Sequence, residues 1–380
     1  MIWFTKNMER ERTVMTSYGD LFDDVMVEML SMLPVKSLLR FRCVSKFWYS
    51  LVKDPSFIYK HIKRDDNMRL LIYCTYKNPY DTDPFNDLIT YFSIFPDKTL
   101  TDLHIQDLER TMKGHITGPY DGIFLLSEDN THINLWNVSM DEYRVVPGYK
   151  VRLPCDTRTH SSDYGLGVDP VTNDFKLVLV LTLWDEKKQW TYYEFSPAAV
   201  YNFTTNCWRD LGGFPMGNHY RFEGADDIYL NGYCYWVVRR PDYYKEILTF
   251  SMSDDVFQVI EGPNVPQLLN YYESAMRPWM LGIYDDCLSM LYSEELAHSF
   301  DLWMMKGESW AKQFTFGPFI ETYQPLTFWR KGEFLLQSND KRLVLYDSKY
   351  EEMSDLGITG LWFSVNILKE SLITVRGEYV

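Results

Sequence analysis

Cysteine is scarce and poorly spaced for chemistry. The six residues (Cys43, Cys74, Cys155, Cys207, Cys234, Cys287) are scattered over 380 positions, with neighbours at least 27 apart. No CxxC or other zinc spacing exists, and no short framework of disulfides is suggested. Long apolar runs are missing too. The longest, Leu177 to Trp184, is strand-sized and broken by Thr182, far short of the roughly 20 residues a spanning helix needs. Met1 to Phe4 is too short for a signal core, and charges follow at Lys6, Glu9 and Arg10. These absences predict a reduced cytoplasmic protein, with the nucleus as a second compartment, and no membrane contact.

Basic residues are in deficit: 38 Lys and Arg face 53 Asp and Glu, a net charge of −15. Phosphate neutralisation needs a Lys/Arg face, so nucleic acid is not an expected partner. Catalytic signatures are equally lacking. The seven histidines (61, 104, 115, 132, 160, 219, 298) show no HExxH spacing, and neither a nucleophile elbow nor a P-loop occurs. "GLGVDP" at 165–170 begins like a dinucleotide fingerprint, but Pro170 stands where the third glycine belongs. Asp169 and Asp174 form an acid pair that a turn between strands also wants. The expectation is a protein with no metal, no cofactor and no catalysis of its own.

Charge is unevenly divided. Residues 1–35 sum to −3, residues 36–64 to +7 and residues 65–380 to −19, so two electrostatically different modules share the chain. Hydrophobic residues make up 46% and charged residues 24%, enough for a folded core without long disordered tracts.

The basic segment reads as short helices. Val25, Met26, Met29, Leu30 and Leu33 form one apolar stripe, with Asp23 and Asp24 placed to complement its N-terminal dipole, and Pro34 ends it. A second helix follows with Ser37 as its expected N-cap, and a third carries Val44, Phe47, Trp48 and Leu51 at i, i+3, i+4 and i+7. Asp54 caps a fourth, with Pro55 at its first position. Periodicity alone leaves open a helical subdomain packed on its own protein. Residues 21–57, with "LPVKSL", "RFRCVSK", an aromatic Trp48 and "DPSF", resemble an F-box. The resemblance implies docking on a Skp-type adaptor, and through it on a cullin and a RING subunit. It assigns the adaptor face to Leu21, Phe22, Val25, Met29, Leu33, Pro34, Val35, Leu38, Phe41, Val44, Trp48 and Leu51. One departure is Leu21-Phe22, where the family has Leu-Pro; Phe22 keeps an apolar contact but not the fixed backbone.

From about residue 66 the texture becomes short strands and turns, and the strands repeat. Five hairpins share one plan, with anchors Tyr143, Trp208, Phe257, Trp310 and Met353 at intervals of 65, 49, 53 and 43 residues. A second hairpin precedes most of them, as in "GPYDGIFLLSEDN" and "WRKGEFLLQSNDK". Four strands recurring at about 50 residues indicate a kelch-like β-propeller. A β-sandwich would give short strands without the period. Six blades are expected, the sixth from residues 68–112 with closure near "SVNILKESLITV".

"TGPYDGIFLL", "YGLGVDPVTNDFKLV" and "YNFTTNCWRDL" resemble the F-box-associated propeller of plant F-box proteins. "LWMMKGESWAKQFTF" and "PLTFWRKGEFLLQSNDKRLVLYD" resemble the S-locus F-box and S-locus-F-box-like group. The expected organisation is a loose extension over 1–16, an F-box over 17–62 and a propeller over 66–380. Loop aromatics and arginines are what protein interfaces use most. Loops at 78–87, 156–165, 213–227, 239–246 and 263–278 carry them, and Tyr220, Arg221, Tyr243, Tyr271 and Tyr272 are the expected substrate contacts. The resemblance implies a non-catalytic substrate receptor of a ubiquitin ligase, with basic stylar ribonucleases of self-incompatibility as the substrate class. The alternative is a carbohydrate-binding or hydrolytic propeller of kelch type.

Overall fold

The computed structural model describes residues 24–64, 68–77, 88–95, 115–153, 155–185, 187, 196–213, 220–222, 227–240, 244–265, 279–294, 298–321 and 323–376. The extension expected over 1–16 lies outside them, as do Leu21, Phe22, Tyr243, Tyr271 and Tyr272.

The described chain opens with four short helices: α1 (24–31), α2 (Val35–Phe41), α3 (Lys46–Lys53) and α4 (Pro55–Ile62). Asp54 caps α4 as the sequence predicts, its Oδ1 accepting from the N–H groups of Ser56 at 2.9 Å and Phe57 at 3.2 Å. Ser45 caps α3, its Oγ accepting from the Trp48 N–H at 3.2 Å. The cap expected of Ser37 is corrected. Pro34 occupies the N-cap of α2 in an extended conformation, so the helix starts at Val35 and Ser37 lies inside it. Proline offers no side-chain acceptor, which leaves the first N–H of α2 to be satisfied from elsewhere. Leu30, Val35, Leu38, Val52 and Phe57 form the module's core, and Leu372, from the far end of the chain, joins them.

The rest is a ring of six antiparallel sheets. Blade 1 is β3 (His115–Tyr120), β4 (Ile123–Ser127), β5 (Ile133–Asn137) and β6 (Glu142–Val146). Blade 2 is β7 (Thr157–Val168), β8 (Phe175–Asp185), β9 (Pro197–Asn202) and β10 (Cys207–Gly213). Blade 3 splits its first strand into β11 (Arg221–Phe222) and β12 (Ile228–Leu230), followed by β13 (Tyr233–Arg239), β14 (Lys245–Ser251) and β15 (Val256–Ile260). Blade 4 is β16 (Trp279–Tyr284), β17 (Cys287–Glu294), β18 (Ser299–Lys306) and β19 (Ser309–Phe316). Blade 5 is β20 (Tyr323–Arg330), β21 (Glu333–Ser338), β22 (Arg342–Asp347) and β23 (Glu352–Thr359). The sixth sheet pairs β1 (Met68–Lys77) with both β2 (Leu88–Phe95) and the last strand, β24 (Trp362–Lys369). The expectation of six blades, the sixth from residues 68–112 closed by the last strands, is therefore corrected to five complete blades and a three-stranded closing sheet among the described residues. The closing sheet is assembled from the two ends of the propeller sequence, and residues 96–114 after β2 lie outside the described set.

A separate apolar cluster lies between each pair of neighbouring sheets, six in all, and these interfaces are the core. Two glycines of "GLGVDP" have their explanation here. A Cβ on Gly165 would meet the Trp236 ring at 2.4 Å, and one on Gly167 the Tyr229 ring at 2.1 Å, so both are small to let blade 2 close on blade 3. "DTRTHSSDYG", expected as a loop, is largely strand: β7 pairs with β8 from Thr157↔Asp185 to Val168↔Phe175. The long apolar partner at 177–184 supplies a ladder that its polar residues do not announce.

Antiparallel order gives the ring two unlike ends. Turns between first and second strands, and between third and fourth, lie at one end; those between second and third strands, and the crossings from blade to blade, lie at the other. The helices sit at the first end. Met140, in the β5–β6 turn, packs on their core, and a Cβ on Gly122, in the β3–β4 turn, would meet the carbonyl of Lys369 at 2.4 Å.

Candidate functional site

The helical stripe divides between an outer and an inner surface. On α1, Val25 faces out with Met29, which is 59% exposed, and Met32 just after the helix is exposed too; Val44 and Phe47, at the entrance to α3, are 66% and 48% exposed. Pro34 is exposed, while Leu33, Phe41, Trp48 and Leu51 are half-buried. Two of the expected adaptor contacts, Val35 and Leu38, are fully buried in the module's own core. A helix this short has room for one inward turn of side chains, and α2 spends it on the core. Periodicity marked both sets as apolar without separating them. Met32, Phe47 and Tyr49 are exposed as well, although the resemblance did not assign them to the adaptor face; Phe47 lies on the α3 stripe with Val44 and Trp48.

Polar groups fix the scaffold beneath this surface. Glu28 on α1 pairs with Lys60 and, at 3.0 Å, with Arg64 at the end of α4. The hydrogen bond from Lys60 holds the Glu28 carboxyl below its usual pKa. His61 is buried, and its Nε2 lies 2.9 Å from the carbonyl oxygen of Leu33, bracing the Leu33-Pro34 corner. Burial pushes the His61 pKa down, against the opposing pull of that carbonyl and of Glu370. Around the apolar residues stand Lys36, Arg40, Lys46 and Lys53, all exposed. Arg42 and Lys53 both lie over the Tyr49 ring, at 5.3 and 4.6 Å from its centre. The arrangement is an apolar patch with a cationic surround.

The module is joined to the ring by more than the linker. The N–H of Val35 donates to Oε2 of Glu370 at 2.9 Å, and Oε1 of Glu370 pairs with Arg69 at 2.6 Å. The segment after β24 is itself pinned to blade 1, because Nδ2 of the buried Asn137 donates to the carbonyls of Ser371 at 3.1 Å and Ile373 at 2.7 Å.

At the other end of the ring lie Tyr220 and Arg221, the two expected substrate contacts among the described residues. Tyr220 is half-buried against the cluster between blades 2 and 3. Arg221 pairs in register with Arg239 at the end of β13 away from the helices. Near them, Arg158 lies over the Trp184 ring at 5.7 Å, and His160 meets that ring edge-on at 4.9 Å. The strand ends that flank 214–219, 241–243 and 266–278 all lie at this same end.

Asp169 and Asp174 are engaged in holding a turn. Oδ1 of Asp169 accepts from Val171 N–H at 2.8 Å, its Oδ2 lies 3.0 Å from the buried Lys176 ammonium, and Asp174 accepts from Thr204 Oγ at 2.7 Å. Burial alone would raise the Asp169 pKa, but these donors outweigh it and hold the carboxyl below the usual range.

Comparison with known proteins agrees with this architecture. A family model for the F-box associated beta propeller domain matches residues 93–374, and one for the F-box domain matches residues 19–60. The Arabidopsis thaliana F-box protein CPR1 is 24% identical over 366 residues, covering 88% of this chain and 84% of its own. F-box/kelch-repeat protein At3g23880, also from Arabidopsis thaliana, is 26% identical over 343 residues, covering 84% and 85%. Among solved structures, an oligogalacturonate lyase in complex with manganese aligns over 70% of each chain at 11% identity and a TM-score of 0.40, too distant to argue from. With an F-box at its N-terminal end and a matching propeller over most of its length, the chain belongs to the F-box proteins that carry an F-box associated beta propeller domain.

Proposed function

We propose that this protein is the substrate-recognition subunit of a Skp–cullin–F-box ubiquitin ligase, acting in the cytoplasm and nucleus and performing no chemistry itself. The observation that carries the reading is the helical module: its apolar residues face outward from a core that the propeller helps to complete. Val25, Met29, Leu33, Pro34, Val44, Phe47 and Trp48 contact the adaptor in this reading, with Leu21 and Phe22 extending the surface. The ring holds a protein substrate at the end away from the helices, through Tyr220 and Arg221 with Tyr243, Tyr271 and Tyr272. Holding substrate there raises its effective concentration beside the transferred ubiquitin.

The substrate class favoured by charge is a basic protein, because residues 65–380 carry −19. A stylar ribonuclease of self-incompatibility is the specific form of this proposal, supported by the sequence resemblance to the S-locus group. The test is capture of a purified Skp-type adaptor by the full chain, followed by affinity capture of substrate with the proteasome blocked. Failure to retain the adaptor would end the ligase reading. Capture of acidic proteins alone would end the basic-substrate reading.

A further inference from the structure

The connection from α4 to the ring is short: Ile62 ends the helix and Met68 begins β1. A single short linker leaves two bodies free to turn about its backbone dihedrals. A second attachment, formed by residues 370–375 after the last strand, removes that freedom. Glu370 is 7% exposed and divides its carboxylate between the two bodies: one oxygen accepts from the Val35 N–H at the start of α2, the other pairs with Arg69 of β1. Leu372, 5% exposed, packs inside the helical core with Leu30, Val35, Leu38, Val52 and Phe57.

The same segment is held on the ring by blade 1. Asn137 donates to the carbonyls on either side of Leu372. The Ser371 N–H donates to Ser139 Oγ at 3.2 Å, and Thr374 Oγ donates to Glu142 Oε2 at 2.8 Å. Each contact on the helical side is thus one or two residues from a contact on the ring side. A strap bonded so closely to both bodies transmits orientation between them.

We propose that Glu370 and Leu372 are positioning residues, fixing the helical module at one orientation on the propeller so that the ligase meets bound substrate at a set distance and angle. The consequence for ubiquitin transfer rests on the function proposed above; the rigid mount itself does not. Glu370 acts by supplying the cap that Pro34 cannot, so the orientation of α2 depends on a carboxylate 335 residues away. Charge-assisted bonds to backbone N–H groups are shorter and stronger than neutral ones, which suits a part that must hold its angle.

The exposed thiols of Cys43, between α2 and α3, and of Cys207, at the start of β10, provide a direct measurement. Spin labels on these two, with Cys74, Cys155 and Cys287 changed to Ser, give the distance between module and ring in the full chain by pulsed electron resonance. The parent is expected to show one narrow distribution. Glu370→Ala with Leu372→Ala should broaden it at least twofold while the β-sheet circular dichroism is retained. Arg69→Ala, which leaves the α2 cap in place, should broaden it less, and Glu370→Gln, which keeps an acceptor for Val35, should recover most of the narrow distribution. A second readout uses the reconstituted ligase: the lysines of the propeller modified in self-ubiquitination, mapped by mass spectrometry, should spread from a restricted set to a wider one in the double variant.

A parent distribution as broad as that of the double variant would overturn the mount, as would a double variant that stays folded and narrow. If the double variant loses its fold, Arg69→Ala and Glu370→Gln decide alone, and equal widths in both and in the parent overturn the proposal. A narrow parent that fails to retain the adaptor would remove the ligase reading and leave the mount standing.

Discussion

Trp208 and Trp310 hold the same station in different blades. Each is the second residue of the outermost strand, and each indole N–H donates to a carbonyl just past the outermost strand of the preceding blade: Pro147 at 2.5 Å for Trp208, Glu261 at 3.0 Å for Trp310. Tyr143, Phe257 and Met353 are also second in their outermost strands, opposite Trp136, Phe250 and Tyr346. Truncation of either tryptophan to Ala should cost about 3 kcal/mol, since each is half-buried at a blade interface. Substitution by Phe keeps most of the packing and should cost about 1 kcal/mol for the lost hydrogen bond. Denaturant unfolding followed by circular dichroism checks both. Unequal ranking at the two sites would show that the stations are not equivalent.

The division of the helical stripe gives the second prediction. Met29→Asp and Phe47→Asp should weaken adaptor binding about 10²-fold or more, the effect of a charge at the centre of an apolar interface, with unfolding unchanged. Leu38→Ala should do the reverse, costing about 2–4 kcal/mol of stability through a cavity in the core. Calorimetric titration against purified adaptor, paired with thermal melts, separates the two. A Phe47→Asp protein that binds normally would exclude that residue from the interface.

Lys176 is a buried ammonium shared between blades 2 and 3, bonded to Asp169 at 3.0 Å, Asp255 at 3.1 Å and the carbonyl of Met252 at 2.6 Å. Lys176→Met should cost about 3 kcal/mol, because removing one member of a buried pair strands the other charges. Lys176→Met with Asp169→Asn should recover part of that loss. Equilibrium unfolding in urea measures it, and a double variant no better than the single one would contradict the charge argument.

His61 supplies a pH dependence with a definite sign. Burial depresses its pKa in the folded protein, so the unfolded chain takes up a proton more readily, and stability rises with pH through this window. The contribution is present above about pH 6.5, the unperturbed value, and is lost as pH falls through the lower folded value. The groups facing the imidazole are the Leu33 carbonyl, Glu370 and Arg64. Thermal melts of the parent should drop between pH 7 and pH 5 more steeply than those of His61→Gln. Parallel curves would remove His61 as the cause.

The propeller was legible because its information is local. Each hairpin turn and each anchor depends on residues a few positions apart, so the period survives in the sequence whatever the blades pack against. Asp54 and Pro55 announced the start of α4 for the same reason. The β7 strand escaped because its residues 157–163 are polar, and only its partner β8 makes them a strand.

The helical surface was half legible. An apolar stripe declares that side chains at 25, 29, 35 and 38 avoid water; which of them meet their own core and which await a partner depends on what packs behind the helix. That backing comes from Leu372 and Met140. The sequence alone determined a basic helical module followed by a repeating four-stranded propeller unit. Only the tertiary structure decided how the two are joined, because the cap of α2 is a carboxylate at the other end of the chain, and no local pattern records a contact made by folding the ring shut.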